Sequence, residues 1–227
     1  MKRFIFALVV SLAAGFPGLS IATTLADWTF ETNRSRGFVG AGQWATNIAA
    51  EIGSGTASAW HAASASKTDG PGNGSVYAFG FTNGWSVGDC YQFATRTTGY
   101  KNLSISFDET ATSGASSAFS VQYSTDGASF HSFGGDFLLS AGSWHSFSYD
   151  LSSVSSLNDS SVVYLRLVDD SNQSIAGDTV SSYGYSGVWV DNVIISAQVV
   201  PEPSMAGLAL VGMLGWACVQ ILRKKAR

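Results

Sequence analysis

Alternation of apolar and polar residues with period two narrows the fold more than any other feature of this chain. It runs through Trp28-Thr29-Phe30, Leu103-Ser104-Ile105-Ser106-Phe107, Phe119-Ser120-Val121-Gln122-Tyr123, Phe147-Ser148-Tyr149-Asp150-Leu151 and Val163-Tyr164-Leu165-Arg166-Leu167. Successive side chains of a strand point to opposite faces, so each segment buries one face and wets the other. Residues 76–81, 91–96, 129–133 and 188–195 read as further strands, the last apolar on both faces as a strand covered from two sides would be. Turn signals separate them at Asp69-Gly70-Pro71-Gly72-Asn73-Gly74, Asn83-Gly84, Asp126-Gly127 and Gly134-Gly135. No stretch between the two ends carries the period of an ordinary helix.

The expected fold is therefore all-β: a two-sheet antiparallel β-sandwich of jelly-roll type with its first and last strands adjacent. Aromatic residues make up 13% of the 227 residues and there are 25 glycines, which supplies core and turns and argues against disorder and against a helical bundle. Residues 38–68 are rich in Ala, Ser and Gly around Trp44 and Trp60 and lack clear periodicity, so a long loop with short strands is expected there. No internal repeat or long linker divides the middle of the chain.

The two ends read as addresses. Met1-Lys2-Arg3, an apolar run from Phe4 to Ala14 and Gly15-Phe16-Pro17 have the form of a secretory signal peptide; an uncleaved N-terminal anchor is the alternative. Small residues permit cleavage after Ala22 or after Ala26, and the choice falls on Ala26 because a strand-like segment starts at Asp27. This divides the chain into a signal peptide over residues 1–26, an extracytoplasmic sandwich over 27–199 and a C-terminal segment over 200–227. Residues 27–200 keep six Lys and Arg against fifteen Asp and Glu, a balance of −9 that makes nucleic acid a poor partner.

Met205 to Leu222 are 18 residues without a charge, which as a helix would reach about 27 Å and span a membrane. Arg223-Lys224-Lys225-Ala226-Arg227 follow at once and would stay on the cytoplasmic side, leaving the sandwich outside. Immediately before stands Pro201-Glu202-Pro203. That order of motif, span and basic cluster resembles the PEP-CTERM sorting signal of exported bacterial proteins. The resemblance implies an exosortase as partner, with Pro201, Glu202 and Pro203 as its recognition residues. It also implies an inner-membrane-anchored stage facing the periplasm, then delivery to the cell surface or extracellular matrix. It implies no activity for the rest of the chain.

Chemistry is sparse. Cys90 is the single cysteine of the middle segment, so no disulfide forms within it, and a half-buried strand cysteine is expected. His61, His131 and His145 lack metal-ligand spacing and read as surface side chains, although His131 and His145 stand where neighbouring strands would bring them together. Asp108-Glu109 and Asp169-Asp170 point to opposite faces if they lie on strands, so neither is a ready acid–base pair, and no enzyme is expected. Tyr123 to Phe130 is similar to the Asp-box hairpin but lacks its closing Trp, which leaves a plain hairpin turn.

Trp189-Val190-Asp191-Asn192-Val193 also looks like the last strand of galactose-binding-like carbohydrate-binding modules. That likeness implies a structural calcium near the first and last strands, with Glu31 and Asp191 as its ligands; the acidic loop 169–174 is a second candidate. Sugar binding needs exposed aromatic faces beside amides. Trp85 next to Asn83, and Tyr183 with Tyr185, are the surface candidates, while Trp28, Trp144 and Trp189 are expected in the core. Two functions stand open on the sequence: a non-catalytic surface or exopolysaccharide-matrix protein with a structural or adhesive role, and a lectin-like module that binds polysaccharide.

Overall fold

The computed structural model describes residues 22–32, 37–45, 47–83, 85–180 and 186–200. Residues 1–21, Tyr183, Tyr185, the Pro201-Glu202-Pro203 motif and the apolar stretch 205–222 lie outside them. Among the described residues no helix is long and apolar enough to cross a membrane.

The strands run in chain order as β1 (Ala22–Trp28), β2 (Gly37–Val39), β3 (Gln43–Trp44), β4 (Ile48–Ala49), β5 (Ile52–Gly53), β6 (Gly55–His61), β7 (Ala65–Gly70) and β8 (Ala78–Thr82). They continue as β9 (Cys90–Thr95), β10 (Tyr100–Ala111), β11 (Ala118–Ser124), β12 (His131–Leu138), β13 (His145–Asp150), β14 (Val163–Asp169) and β15 (Gly187–Val199). One sheet, A, is ordered β13-β10-β15-β8-β7-β2, with β1 pairing β15 and β5. The other, B, is ordered β12-β11-β14-β9-β6-β3, with β4 on β6. The expected two-sheet antiparallel sandwich is thus present, and β1 and β15 are neighbours from Ala22↔Gln198 to Trp28↔Val193.

Alternation decides which side chains meet between the sheets. Leu103, Ile105 and Phe107 of β10 and Val188, Val190, Val193 and Ile195 of β15 point inward from sheet A, with Phe79 and Phe81 of β8. Tyr91 and Phe93 of β9, Phe119 and Val121 of β11, and Leu165 and Leu167 of β14 meet them from sheet B. Fully burying such a side chain contributes roughly 1.5–3 kcal/mol, so this layer rather than any cross-link holds the domain. Asp108 and Glu109 do point to opposite faces, Glu109 into the interior.

Three local features depart from the sequence reading. First, β1 begins at Ala22 rather than at Asp27, with Leu25 and Ala26 buried. Thr23 and Thr24 hide this start, because the alternation is confined to the end of the strand that reaches the core. Second, Trp189 lies on the outer face of sheet A instead of in the core. The register sets it opposite Gly80, which in turn faces Thr68, and its Nε1 donates to Thr68 Oγ1 at 3.2 Å. A Cβ at Gly80 would come within 2.0 Å of Trp189 Cδ1, so glycine leaves the trough in which the indole lies flat. Third, residues 38–68 supply six short strands or parts of strands; pieces of two residues are too short to display a period.

Candidate functional site

The outer face of sheet B is the broadest polar surface the strands build. Registers across β11, β14, β9 and β6 align Gln122, Arg166, Gln92 and Ser58 in one row. The next row toward β3 carries Val168, Cys90, Trp60 and Trp44, and the row on the other side carries Tyr164, Ala94 and Thr56. These are the residues that alternation turns away from the core. Between them runs a shallow, open groove of about 490 Å³, lined among others by Asn47, Thr56, Ser58, Gln92, Arg96 and Tyr164. Its volume lies in the range of small-ligand sites, but its open form suits an extended chain better than an enclosed small molecule.

A stacked cation marks one side of this face. The Arg166 guanidinium lies 3.4 Å from the centroid of the Phe130 ring and 5.3 Å from that of Trp44. Its Nε donates to Gln92 Oε1 at 2.9 Å, which fixes the plane of the fork. Trp44 remains 45% exposed, and Trp60 directly opposite it on β6 is half-buried. Phe130 is delivered by the β11–β12 hairpin. Asp126 Oδ1 accepts from Ser124 Oγ, Ala128 N and Ser129 N, and Gly127 takes φ +72°, so the turn is the plain hairpin expected. These bonds hold the Asp126 carboxyl below the usual carboxylate range.

Trp85 does not belong to any surface site. It is 1% exposed, its Nε1 donates to the Phe81 carbonyl at 3.1 Å, and its ring packs edge-on against His61, Tyr91 and Phe119. A loop position next to turn residues is therefore no guide to exposure here, since the chain after β8 folds back into the core. Asn83 occupies the turn itself, at φ +62°, and its N–H donates to the Ser186 carbonyl at 3.1 Å.

Glu31 and Asp191 brace a single loop. Glu31 Oε1 accepts from Val76 N at 2.7 Å and Tyr77 N at 2.8 Å. Asp191 Oδ2 accepts from Asn73 N at 2.8 Å and Ser75 Oγ at 2.7 Å, while its Oδ1 accepts from Asn192 N at 2.8 Å. Burial raises the Asp191 carboxyl and these hydrogen bonds lower it again, leaving a net rise. Ser75 Oγ, the Tyr77 carbonyl and Asp191 Oδ2 all converge on Gly72, within 2.9 Å of where a Cβ would stand. Such neutral and anionic oxygens suit a hard cation. Among the described residues, no three His, Cys, Asp or Glu side chains gather around one point, so a calcium ion here would draw on Asp191 and neutral oxygens.

Of the other chemically active side chains, His61, Asp89, Glu109, Asp169 and Cys90 are sealed inside. His61, expected at the surface, is fully buried, its Nδ1 3.2 Å from Asp89 Oδ2, because even-numbered Trp60 takes the outer face and His61 the inner. Asp89 is tied further to the N–H groups of Ala62 and Ser86. His131 and His145 do not meet: His131 stacks on Tyr123 in sheet B, and His145 Nε2 lies 2.6 Å from Ser140 Oγ in sheet A. Glu109 and Asp169 project into the interior from opposite sheets. Cys90 is buried and its thiol is pushed up to about 11 by burial, which leaves it without nucleophilic character at neutral pH.

No family model matches this chain, and no curated protein matches it. Solved structures do. The tandem CBM22-1-CBM22-2 domain from Paenibacillus barcinonensis Xyn10C is similar with a TM-score of 0.50 and 11% identity over 82% of this chain and 49% of that one. The single CBM22-1 xylan-binding domain of the same protein gives 0.48 and 11% over 80% of this chain and 99% of that one. The K3 cleaved adhesin domain of Lys-gingipain from Porphyromonas gingivalis w83 gives 0.43 and 13%, over 76% and 98%. At these identities the likeness defines the fold alone: an all-β sandwich similar to that of the CBM22 tandem.

Proposed function

We propose that this domain is a non-catalytic carbohydrate-binding module that lays an extended sugar chain along the outer face of sheet B. One observation carries the reading: an open groove of amide and hydroxyl groups flanked by the Trp44–Arg166–Phe130 stack. Sugar rings present apolar faces to aromatic rings and hydroxyl groups to amides, and both are available on the same surface. The similarity of fold to a CBM22 tandem supports the same reading. Catalysis by paired carboxylates draws no support from Glu109 and Asp169, which are closed off from any sugar on the surface.

Titration of the full chain, in a polyoxyethylene detergent free of sugar headgroups, against a panel of plant and bacterial polysaccharides tests the proposal. Saturable binding is expected, weakened at least tenfold by Trp44→Ala or Trp60→Ala with the unfolding midpoint little changed. Failure to bind any glycan would remove the reading.

Delivery is the second part of the proposal. Export, processing by an exosortase at Pro201-Glu202-Pro203 and transfer to the surface or matrix rest on the sequence of residues 1–21 and 200–227. A matrix protein that grips polysaccharide joins the adhesive role to the binding one. Calcium is proposed at the loop 71–77, where Asp191 with Ser75 and the Tyr77 carbonyl would hold it and Glu31 would secure the loop's far limb. Its contribution there is to cross-link the loop to β15.

A further inference from the structure

The charge on this face runs against the charge of the domain. Residues 27–200 carry −9, yet the strands that build the face of sheet B contain a single carboxylate between β3 and β14, Asp169, and that one points inward. Of the four basic residues described in the domain, Arg96 lines the groove and Arg166 stands beside it, paired with the lining residue Gln92. Neither has an ion-pair partner among the described residues. Arg166 spends its Nε on Gln92 and is clamped between two rings, so its two Nη groups are held in place without a neutralising anion. Arg96 is exposed and stands one residue past the end of β9, four residues on from Gln92 and about 13 Å away along the strand direction. No carboxylate lines the groove among the described residues; Asp126, in the hairpin that delivers Phe130, is already satisfied by three donors.

We infer that the groove selects acidic polysaccharide, with Arg166 and Arg96 receiving carboxylate groups of uronic-acid units. The inference rests on the carbohydrate-binding reading above and names its ligand class. A guanidinium fork matches a carboxylate in two parallel hydrogen bonds, and a preorganised fork loses little freedom on binding. Two unpaired cations on one face of an otherwise acidic domain also steer an acidic chain to this face and away from the rest of the surface. Neutral xylan or galactan offers the fork hydroxyl groups only.

The test compares polygalacturonate with neutral xylan and galactan of matched length, using the full chain in the same detergent at several salt concentrations. Polygalacturonate is expected to bind at least tenfold more tightly at low salt, with an advantage that shrinks as sodium chloride rises through the range where charges are screened. Arg166→Gln with Arg96→Gln is expected to bring the acidic and neutral ligands within about threefold of each other. Equal affinity for acidic and neutral chains in the parent, or an acidic preference indifferent to salt, would overturn the inference while leaving the carbohydrate-binding reading standing. Absence of binding to every chain would overturn both. The salt dependence is read on the parent protein, so it decides the matter even if a variant folds poorly.

Discussion

Glu109 on β10 and Asp169 on β14 present carboxyl groups to each other across the closed interior, and Glu109 Oε1, Glu109 Oε2 and Asp169 Oδ2 have no hydrogen-bond partner among the described residues. Burial raises both groups. Asp169 is pushed up to about 6, and Glu109 moves well above the usual carboxylate range through burial and the charge of Asp169. Tyr91 and Tyr149 feel Glu109, and Asp169 in turn feels Asp89 and Asp170, all in the sense that disfavours charge.

A pH dependence of stability follows, with a sign opposite to the common one. Below about pH 4 the carboxyls are protonated in folded and unfolded chains alike. As pH rises from about 4 to about 6 the unfolded chain releases the Asp169 proton while the folded one keeps it, so stability falls, by roughly 3 kcal/mol for a move of this size. Glu109 extends the fall to higher pH. Asp126 and Asp150, both held low by N–H donors, act in the other direction below pH 4. Urea unfolding is expected to show lower stability at pH 8 than at pH 5, and Glu109→Gln to flatten that difference. Parent stability that rises steadily from pH 5 to pH 8 would contradict the account.

Trp85 and Trp44 separate core from face in one pair of variants. Trp85→Ala leaves a hole bordered by His61, Tyr91 and Phe119 and is expected to cost about 3–5 kcal/mol of stability. Trp44→Ala removes a ring that is 45% exposed at an edge strand and is expected to cost under about 1 kcal/mol while abolishing most sugar binding. Denaturant midpoints of both variants beside the parent give the comparison; similar losses in the two would show that Trp44 is structural.

Much of this was legible in the chain. Leu103 to Phe107 and Val163 to Leu167 each announce their strand, and the same alternation that buries Leu165 and Leu167 turns Tyr164 and Arg166 outward. What the sequence hid is pairing. Trp44 and Trp60 stand opposite each other only because β3 folds onto β6, and Arg166 reaches Gln92 only because β14 lies beside β9. Neither relation has a local signature. Trp85 misled because its neighbours Asn83 and Gly84 describe a turn, whereas the direction of the indole depends on the space left between His61 and Phe119. Trp189 misled because its cover is three glycines, of which Gly70 and Gly80 are distant in sequence and only Gly187 is near.

The start of β1 bears on export. Cleavage after Ala26 would remove Ala22 through Ala26, and with them the pairs Ala22↔Gln198, Thr23↔Ala197, Thr24↔Ser196 and Ala26↔Ile195 and the buried side chain of Leu25. Cleavage after Ala22 keeps all but the first. If the proposed export takes place, N-terminal sequencing of the processed protein is expected to begin at Thr23. A terminus at Asp27 would mean that the mature sandwich closes with a shortened first strand.

Calcium should act through the loop 71–77 and through nothing else described. Asp191 Oδ2 and Ser75 Oγ are 2.7 Å apart and share Gly72 with the Tyr77 carbonyl, so an ion entering there would replace a hydrogen-bonded link between loop and strand by a stronger one. A ligand that binds only the folded state stabilises it in proportion to the logarithm of its concentration above the dissociation constant. Five-millimolar calcium, taken here as an order-of-magnitude excess of roughly 100-fold over that constant, is expected to add about 3 kcal/mol and raise the unfolding temperature by several degrees over a chelator control. Asp191→Asn should lower the unfolding temperature in the chelator, because a neutral amide oxygen accepts from Asn73 N and Ser75 Oγ less strongly than a carboxylate, and should erase the calcium increment. Glu31→Gln should reduce that increment without erasing it, since Glu31 grips Val76 and Tyr77 rather than the converging oxygens. An unfolding temperature indifferent to calcium in the parent would leave the loop held by hydrogen bonds alone and would withdraw the ion from the proposal.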